Sequence, residues 1–122
     1  MLRTQELQSQ NSICVSVRKG EDYLGDLDQC SISYYDKGIQ EVIKHSGIGL
    51  SEAKIFVFSD NIEWCRQNEI FQQPNVKLME TSNLDIPKWK CDLILGQLCC
   101  HQVISNSSFS WWVARLAEMR TD

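Results

Sequence analysis

No stretch of this sequence approaches the roughly 20 apolar residues that a membrane-spanning helix needs. The longest candidate, Cys91 to Cys100, is broken by Asp92, Gly96 and Gln97. There is no basic run either. Twelve Lys and Arg against 16 Asp and Glu leave a net charge of −4, which argues against nucleic acid or an anionic membrane as the main partner. The six cysteines (Cys14, Cys30, Cys65, Cys91, Cys99 and Cys100) contain no Cys-x-x-Cys pair. Cys100, His101 and His45 do not have the spacing of zinc ligands. Neither histidine has a nearby Ser or Cys with the makings of a triad; His45, at a helix end, reads as a cap. Gly47-Ile-Gly49 follows a helix instead of a strand and lacks a third glycine, so it is not a dinucleotide fingerprint. No internal repeat and no low-complexity segment is present.

What remains is an ordinary globular composition, 43% hydrophobic and 23% charged. The 122 residues suit one domain, and a domain of this size buries about two-thirds of its unfolded surface. No signal peptide precedes the cysteines, so reduced, buried thiols and a cytoplasmic protein are expected. Cys14, Cys99 and Cys100 lie in apolar stretches, where cysteine behaves as a small hydrophobe.

Residues 1–11 are polar and without a clear period, a frayed start or a helix remnant. Ile13-Cys14-Val15-Ser16-Val17 reads as a buried strand. Tyr34, Tyr35, Ile39, Val42 and Ile43 fall at helical spacing, and Ser46-Gly47 stops that helix. Lys54-Ile-Phe-Val-Phe-Ser59 is a strand covered on both faces. Asp60, three residues before Glu63, resembles a capping-box start to the next helix. Val76 to Met79 is a third strand, Lys90 to Cys99 a helix and Gln102 to Ser105 a fourth strand. A final helix starts at Asn106-Ser107-Ser108 and runs through Met119, with Phe109, Trp112, Val113 and Leu116 on one face. The alternation predicts an α/β fold, a Rossmann-like parallel sheet with helices on both faces.

Such sheets bind ligands at the carboxyl ends of their strands, which selects loops 18–26, 59–63 and 105–110. Arg18 and Lys19 follow a strand directly, where paired cations neutralise a diphosphate; Glu21 and Asp22 are placed to hold the arginine, and a solvated charged turn is the plainer reading. Ser59 and Asp60 can accept from a base or ribose, or cap a helix. Asn106, Ser107 and Ser108 sit at a helix start, which suits either an anion site or a simple N-cap. Trp111 and Trp112 read as core residues before they read as a stacking platform.

Three strings go further. Val15-Ser-Val-Arg-Lys-Gly-Glu-Asp-Tyr23, Phe58-Ser-Asp-Asn-Ile-Glu-Trp-Cys65 and Asn106-Ser-Ser-Phe-Ser-Trp-Trp112 resemble, in order and separation, the three motifs of the α-1,2-fucosyltransferases, glycosyltransferase family 11. The resemblance covers residues 12–117. It implies the donor-binding half of a GT-B glycosyltransferase, with 1–122 as a single nucleotide-sugar-binding domain and the acceptor-side half supplied elsewhere, by a partner chain for example. It implies inverting transfer of fucose from GDP-fucose to the hydroxyl of a galactose-terminated glycan, without a metal or other cofactor. A non-catalytic GDP-sugar-binding module is the alternative.

On the same basis, Arg18 is the expected catalytic cation, on the β-phosphate of the leaving GDP. Lys19 stands where a second arginine is usual. Asp22 matches the motif aspartate, and Ser59 and Asp60 lie toward the nucleoside. Asn106, Ser107 and Ser108 lie toward the diphosphate. The sequence departs from the family at Ser16, usually histidine, and at Asn61, usually a second aspartate. It also departs at Val113 and Arg115, usually small and aromatic. Bacterial relatives are expected in the cytoplasm or at the membrane periphery, animal ones in the Golgi membrane.

Overall fold

A computed structural model describes residues 4–18, 31–49, 51–81, 85–105 and 108–121. The chain begins with a one-turn helix, α1 (Thr4–Leu7), and enters β1 (Ser12–Val17). The polar opening segment is thus a helix remnant, anchored because Leu7 is completely buried. There follow α2 (Ile32–Ser46), β2 (Lys54–Ser59), α3 (Ile62–Arg66), a single 3-10 turn over Glu69–Phe71, and β3 (Val76–Leu78). Next come α4 (Lys88–Gly96), β4 (His101–Val103) and α5 (Ser108–Thr121). Several expected boundaries shift, and the third strand ends at Leu78, not Met79. The helix expected from Lys90 begins at Lys88, after Pro87, and ends at Gly96. The strand expected over 102–105 ends at Val103, because only residues 101–103 find partners on β1.

The sheet order is β3-β2-β1-β4 and every pairing is parallel. β1 pairs along its whole length with β2, Ser12 opposite Lys54 through Val17 opposite Ser59. It pairs on its other edge with β4. This central position accounts for its sequence. A strand covered on both faces cannot alternate polar and apolar residues, and all six residues of β1 are buried.

The period of two divides the core into two layers. Ile13, Val15 and Val17 join Ile55 and Val57 against Tyr35 and Ile39 of α2 and Cys65 of α3. Cys14, Phe56 and Phe58 face the other way, against Leu7 of α1, Val113 of α5 and Leu93 and Leu95 of α4. Helices therefore cover both faces, as the alternation predicts. Each fully buried Val or Ile contributes about 1.5–3 kcal/mol of transfer free energy, so the β1–β2 pair anchors both layers.

Local signals set the helices. Ser31 caps α2 by accepting the Tyr34 N–H at 3.2 Å. Gly47 ends the helix in the left-handed region, φ 76°, where glycine pays no Cβ penalty. The expected capping role of His45 is not seen; its Nε2 lies 2.9 Å from Glu41 Oε2, one turn back. α2 also approaches β4 closely. A Cβ on Gly38 would stand 2.7 Å from Val103 Cγ1.

Two further expectations are corrected. The cap of α3 is Asn61, whose Oδ1 accepts the Trp64 N–H at 3.1 Å, not Asp60. The buried stripe of α5 runs through Ser110, Val113 and Ala117. Trp111 and Trp112 are not core residues; both are about half exposed and meet edge to face, ring centroids 5.0 Å apart. The i, i+3, i+7 rule selects 110, 113 and 117, and the tryptophans fall outside that arc. Among the described cysteines, Cys14, Cys65, Cys91 and Cys99 are buried free thiols, and Cys100 is exposed. Among the described residues no helix is long and apolar enough to cross a membrane.

Candidate functional site

The parallel sheet sends β1 and β2 out on the same side, one residue from Arg18 and Asp60 respectively. The register that sets Val17 opposite Ser59 brings those next residues face to face. Arg18 Nε lies 3.3 Å from Asp60 Oδ2, with both side chains about three-quarters buried. Asp60 is available for this pairing because Asn61, not Asp60, caps α3.

Ser59, the last residue of β2, is buried; its Oγ accepts the Asn61 N–H at 2.9 Å. Cys65 packs beneath it. Burial pushes the Cys65 thiol up to about 11, partly offset by its hydrogen bond with Ser59 and reinforced by the nearby Asp60 charge. A thiol so far from ionisation is a packing group, not a nucleophile.

Beside the Arg18–Asp60 pair lies a cavity of about 250 Å³ between the strand ends and helices α4 and α5. Its apolar walls are Val17, Phe58, Trp89 and Val113. Its polar lining includes Ser16, Arg18, Ser59, Asp60, Lys88, Asp92 and Ser110. Ser16 stands where the family motif carries histidine, and its hydroxyl lies 3.7 Å from Cys14 Sγ. Ser110 ties α5 to the segment that follows β4 by donating to the Ser105 carbonyl at 2.9 Å.

Arg18, Ser59 and Asp60 are thus gathered at one cavity. Ser108 is the first residue of α5, and its side chain lies outside the described residues, as do Lys19, Asp22, Asn106 and Ser107. Among the described residues no cluster of three or more His, Cys, Asp or Glu is arranged to hold a metal ion.

Sequence reasoning missed three lining residues, Lys88, Trp89 and Asp92. They come from the first turns of α4, a helix the apolar pattern places two residues too late. Lys88 Nζ lies 2.9 Å from Asp92 Oδ2, an i,i+4 pair, and the same Nζ donates to Thr81 Oγ1 at 2.9 Å. Thr81 Oγ1 in turn donates to Asp92 Oδ1 at 2.5 Å. The Lys-x-x-x-Asp spacing was the available signal, but surface pairs with that spacing are common.

A parallel sheet with helices on both faces, and a paired arginine at the carboxyl end of its central strand, defines a Rossmann-like α/β domain with its site in the usual place for such sheets. The chain belongs to glycosyl transferase family 11, whose family model matches residues 2–121. It is 34% identical over 115 residues to an alpha-1,2-colitosyltransferase of Escherichia coli, covering 87% of this chain and 36% of that protein. It is 29% identical over 115 residues to the O-antigen biosynthesis glycosyltransferase WbnK of Escherichia coli, covering 89% of this chain and 35% of that protein. The chain therefore spans about a third of the length of these curated relatives. No solved structure matches it.

Proposed function

We propose that this chain is the donor-binding part of a glycosyltransferase that moves L-fucose, or a closely related deoxyhexose, from its GDP ester to a galactoside hydroxyl. The observation that carries the reading is the Arg18–Asp60 pair beside the cavity at the ends of β1 and β2. Family membership supports glycosyl transfer as the reaction class. The colitosyltransferase relative supports a deoxysugar donor and an α-1,2 linkage.

In this reading the acceptor oxygen forms its bond to the anomeric carbon while the bond from that carbon to the β-phosphate oxygen breaks. GDP leaves with the electron pair, the acceptor proton passes to a base, and a single displacement inverts the anomeric configuration. Negative charge grows on the β-phosphate as the bond breaks. A guanidinium already fixed at that point stabilises the charge without having to reorganise, and its paired N–H donors match two phosphate oxygens. Arg18 has that role here. Ser59 and Asp60 border the nucleoside, Lys19, Asn106, Ser107 and Ser108 are assigned to the diphosphate, and Asp22 to holding the arginine. The reading calls for no metal.

The test is titration of the chain with GDP, with ADP as control and a chelator present, followed by transfer from GDP-fucose and GDP-colitose to lactose. GDP-selective binding in the micromolar range, about 8 kcal/mol, together with transfer supports the reading in full. Binding without transfer by this chain leaves the donor-binding assignment standing; absence of transfer with the acceptor-side part also present points to the non-catalytic sugar-nucleotide module. The preferred donor names the sugar. A folded chain that binds no nucleotide would falsify the donor-site assignment.

A further inference from the structure

Helix α5 has two faces. The inner one, Ser110, Val113 and Ala117, is buried against the sheet. The outer one holds Trp111, Trp112, Arg115, Glu118 and Met119, all exposed. Their spacing, i, i+1, i+4, i+7 and i+8, is one side of a helix. An outer face ordinarily turns charged and amide groups to water. That of α2 does so, with Lys37, Gln40, Glu41 and Lys44 exposed. On α5 the large positions are apolar instead: Trp111, Trp112 and Met119 are 50%, 53% and 55% exposed. The charged positions pair with each other, Arg115 Nη1 donating to Glu118 Oε1 at 2.5 Å. Contiguous apolar surface with polar groups at its rim marks a contact with another molecule.

This face is separate from the cavity. Helix α5 lines the cavity with Ser110 and Val113, from its inner arc. At 1.5 Å per residue, Met119 lies about 14 Å further along the helix axis than Ser110. A polypeptide that brings an acceptor to the cavity approaches the strand ends, at the start of α5. The outer face runs away from that start.

The residues of the face are complementary to themselves. Antiparallel packing of two α5 helices about a two-fold axis between residues 115 and 116 sets Trp112 of one copy opposite Met119 of the second. A thioether against an indole is a favourable contact. The same packing brings Arg115 within one turn of the second copy's Glu118, so opposite charges meet at the rim and no like pair is forced together. By symmetry each contact occurs twice, as a closed two-fold interface requires.

We propose that the outer face of α5 is the surface through which two copies of this chain associate. The proposal stands apart from the donor reading, because Trp112, Arg115 and Met119 have no part in nucleotide binding.

The test is sedimentation velocity of the chain over about a hundredfold range of concentration, with circular dichroism checking the fold of each variant. The expected species is a dimer in reversible equilibrium with monomer. W112A and M119A, both at exposed positions, should each weaken it by about tenfold or more, and GDP affinity should not change. R115E and E118R should each weaken the dimer by about tenfold or more through like-charge contact. An equimolar mixture of R115E and E118R should recover association, because both cross-pairs are then of opposite sign. A change acting only within one copy would show no such recovery.

A chain that stays monomeric at every concentration overturns the proposal. If that monomer binds vesicles of phosphatidylethanolamine and phosphatidylglycerol and W112A does not, the face belongs to a lipid surface; otherwise it is left to the acceptor-side part of the enzyme. A dimer indifferent to W112A and M119A overturns the assignment to α5. A dimer weakened by R115E and E118R but not recovered on mixing overturns the antiparallel arrangement. Loss of GDP binding with the dimer intact would count against the donor reading alone.

Discussion

Arg18 Nε and Asp60 Oδ2 stand 3.3 Å apart, across the ends of two adjacent parallel strands. The contact is an ion pair set by distance, and the planar guanidinium adds a fork that lysine lacks, so charge and geometry can be separated by substitution. Arg18→Ala should reduce GDP affinity by about 2 kcal/mol or more, through loss of a charge-assisted phosphate contact. Arg18→Lys keeps the charge without the fork and should fall between the two, about 1 kcal/mol below the parent. Calorimetric titration reads both. An Arg18→Lys chain as tight as the parent would show that the guanidinium fork contributes nothing beyond its charge.

Asn61 stands where the family motif carries aspartate, and it caps α3 through its side-chain oxygen. Asn61→Ala should destabilise the fold by about 1 kcal/mol, and Asn61→Asp should be nearly neutral, since both residues cap well. Urea midpoints of the two variants check this. Asp60→Ala should not produce the same capping loss.

The approach of α2 to β4 leaves no room at Gly38, where a Cβ would meet Val103 Cγ1 at 2.7 Å. Gly38→Ala gains helix propensity worth about 1 kcal/mol but forces a stiff β-branched neighbour to move, which costs about 1–3 kcal/mol. The expected net effect is destabilisation. Because the two residues touch, Gly38→Ala combined with Val103→Ala should cost less than the sum of the single changes. Additive denaturation energies would contradict the contact.

The buried thiols give stability a downward slope at alkaline pH. The Cys65 pKa is raised from 9.0 to about 11, first by burial, so its contribution is fully present below pH 9. It is lost as the pH rises through about 11, because above 9 the unfolded chain releases a proton that the folded chain retains. The hydrogen bond with Cys14, and then burial, also raise Cys99. The urea midpoint should fall between pH 9 and 11, with a smaller slope in Cys65→Ala. At pH 8, brief alkylation read by mass spectrometry should label Cys100 and spare Cys14, Cys65, Cys91 and Cys99 until the chain unfolds.

The elements that sequence reasoning reads best are those with strong periodic burial. The fully buried run of β1 and the amphipathic face of α2 leave little choice of structure. Its errors fall where two local signals compete. Asp60 and Asn61 are both good caps, and only the geometry of the strand end decides that Asn61 turns into the helix while Asp60 turns toward Arg18. The tryptophans of α5 look like core residues by composition, but helical phase places them outside the buried arc. Of the site, the strand-end residues were legible because parallel sheets fix where loops converge. Lys88, Trp89 and Asp92 were not, because nothing in a linear sequence brings α4 to the ends of β1 and β2.

The position of β1 has a mechanical consequence. Flanked by β2 and β4 and buried along its length, it has strand partners on both edges. Arg18 is the next residue along that same backbone. Its α-carbon is therefore tethered to the segment whose amides should exchange most slowly with solvent. Freedom left to Arg18 resides in its side-chain torsions, so ligand capture on the β1 side needs rotamer selection and no backbone displacement at residue 18.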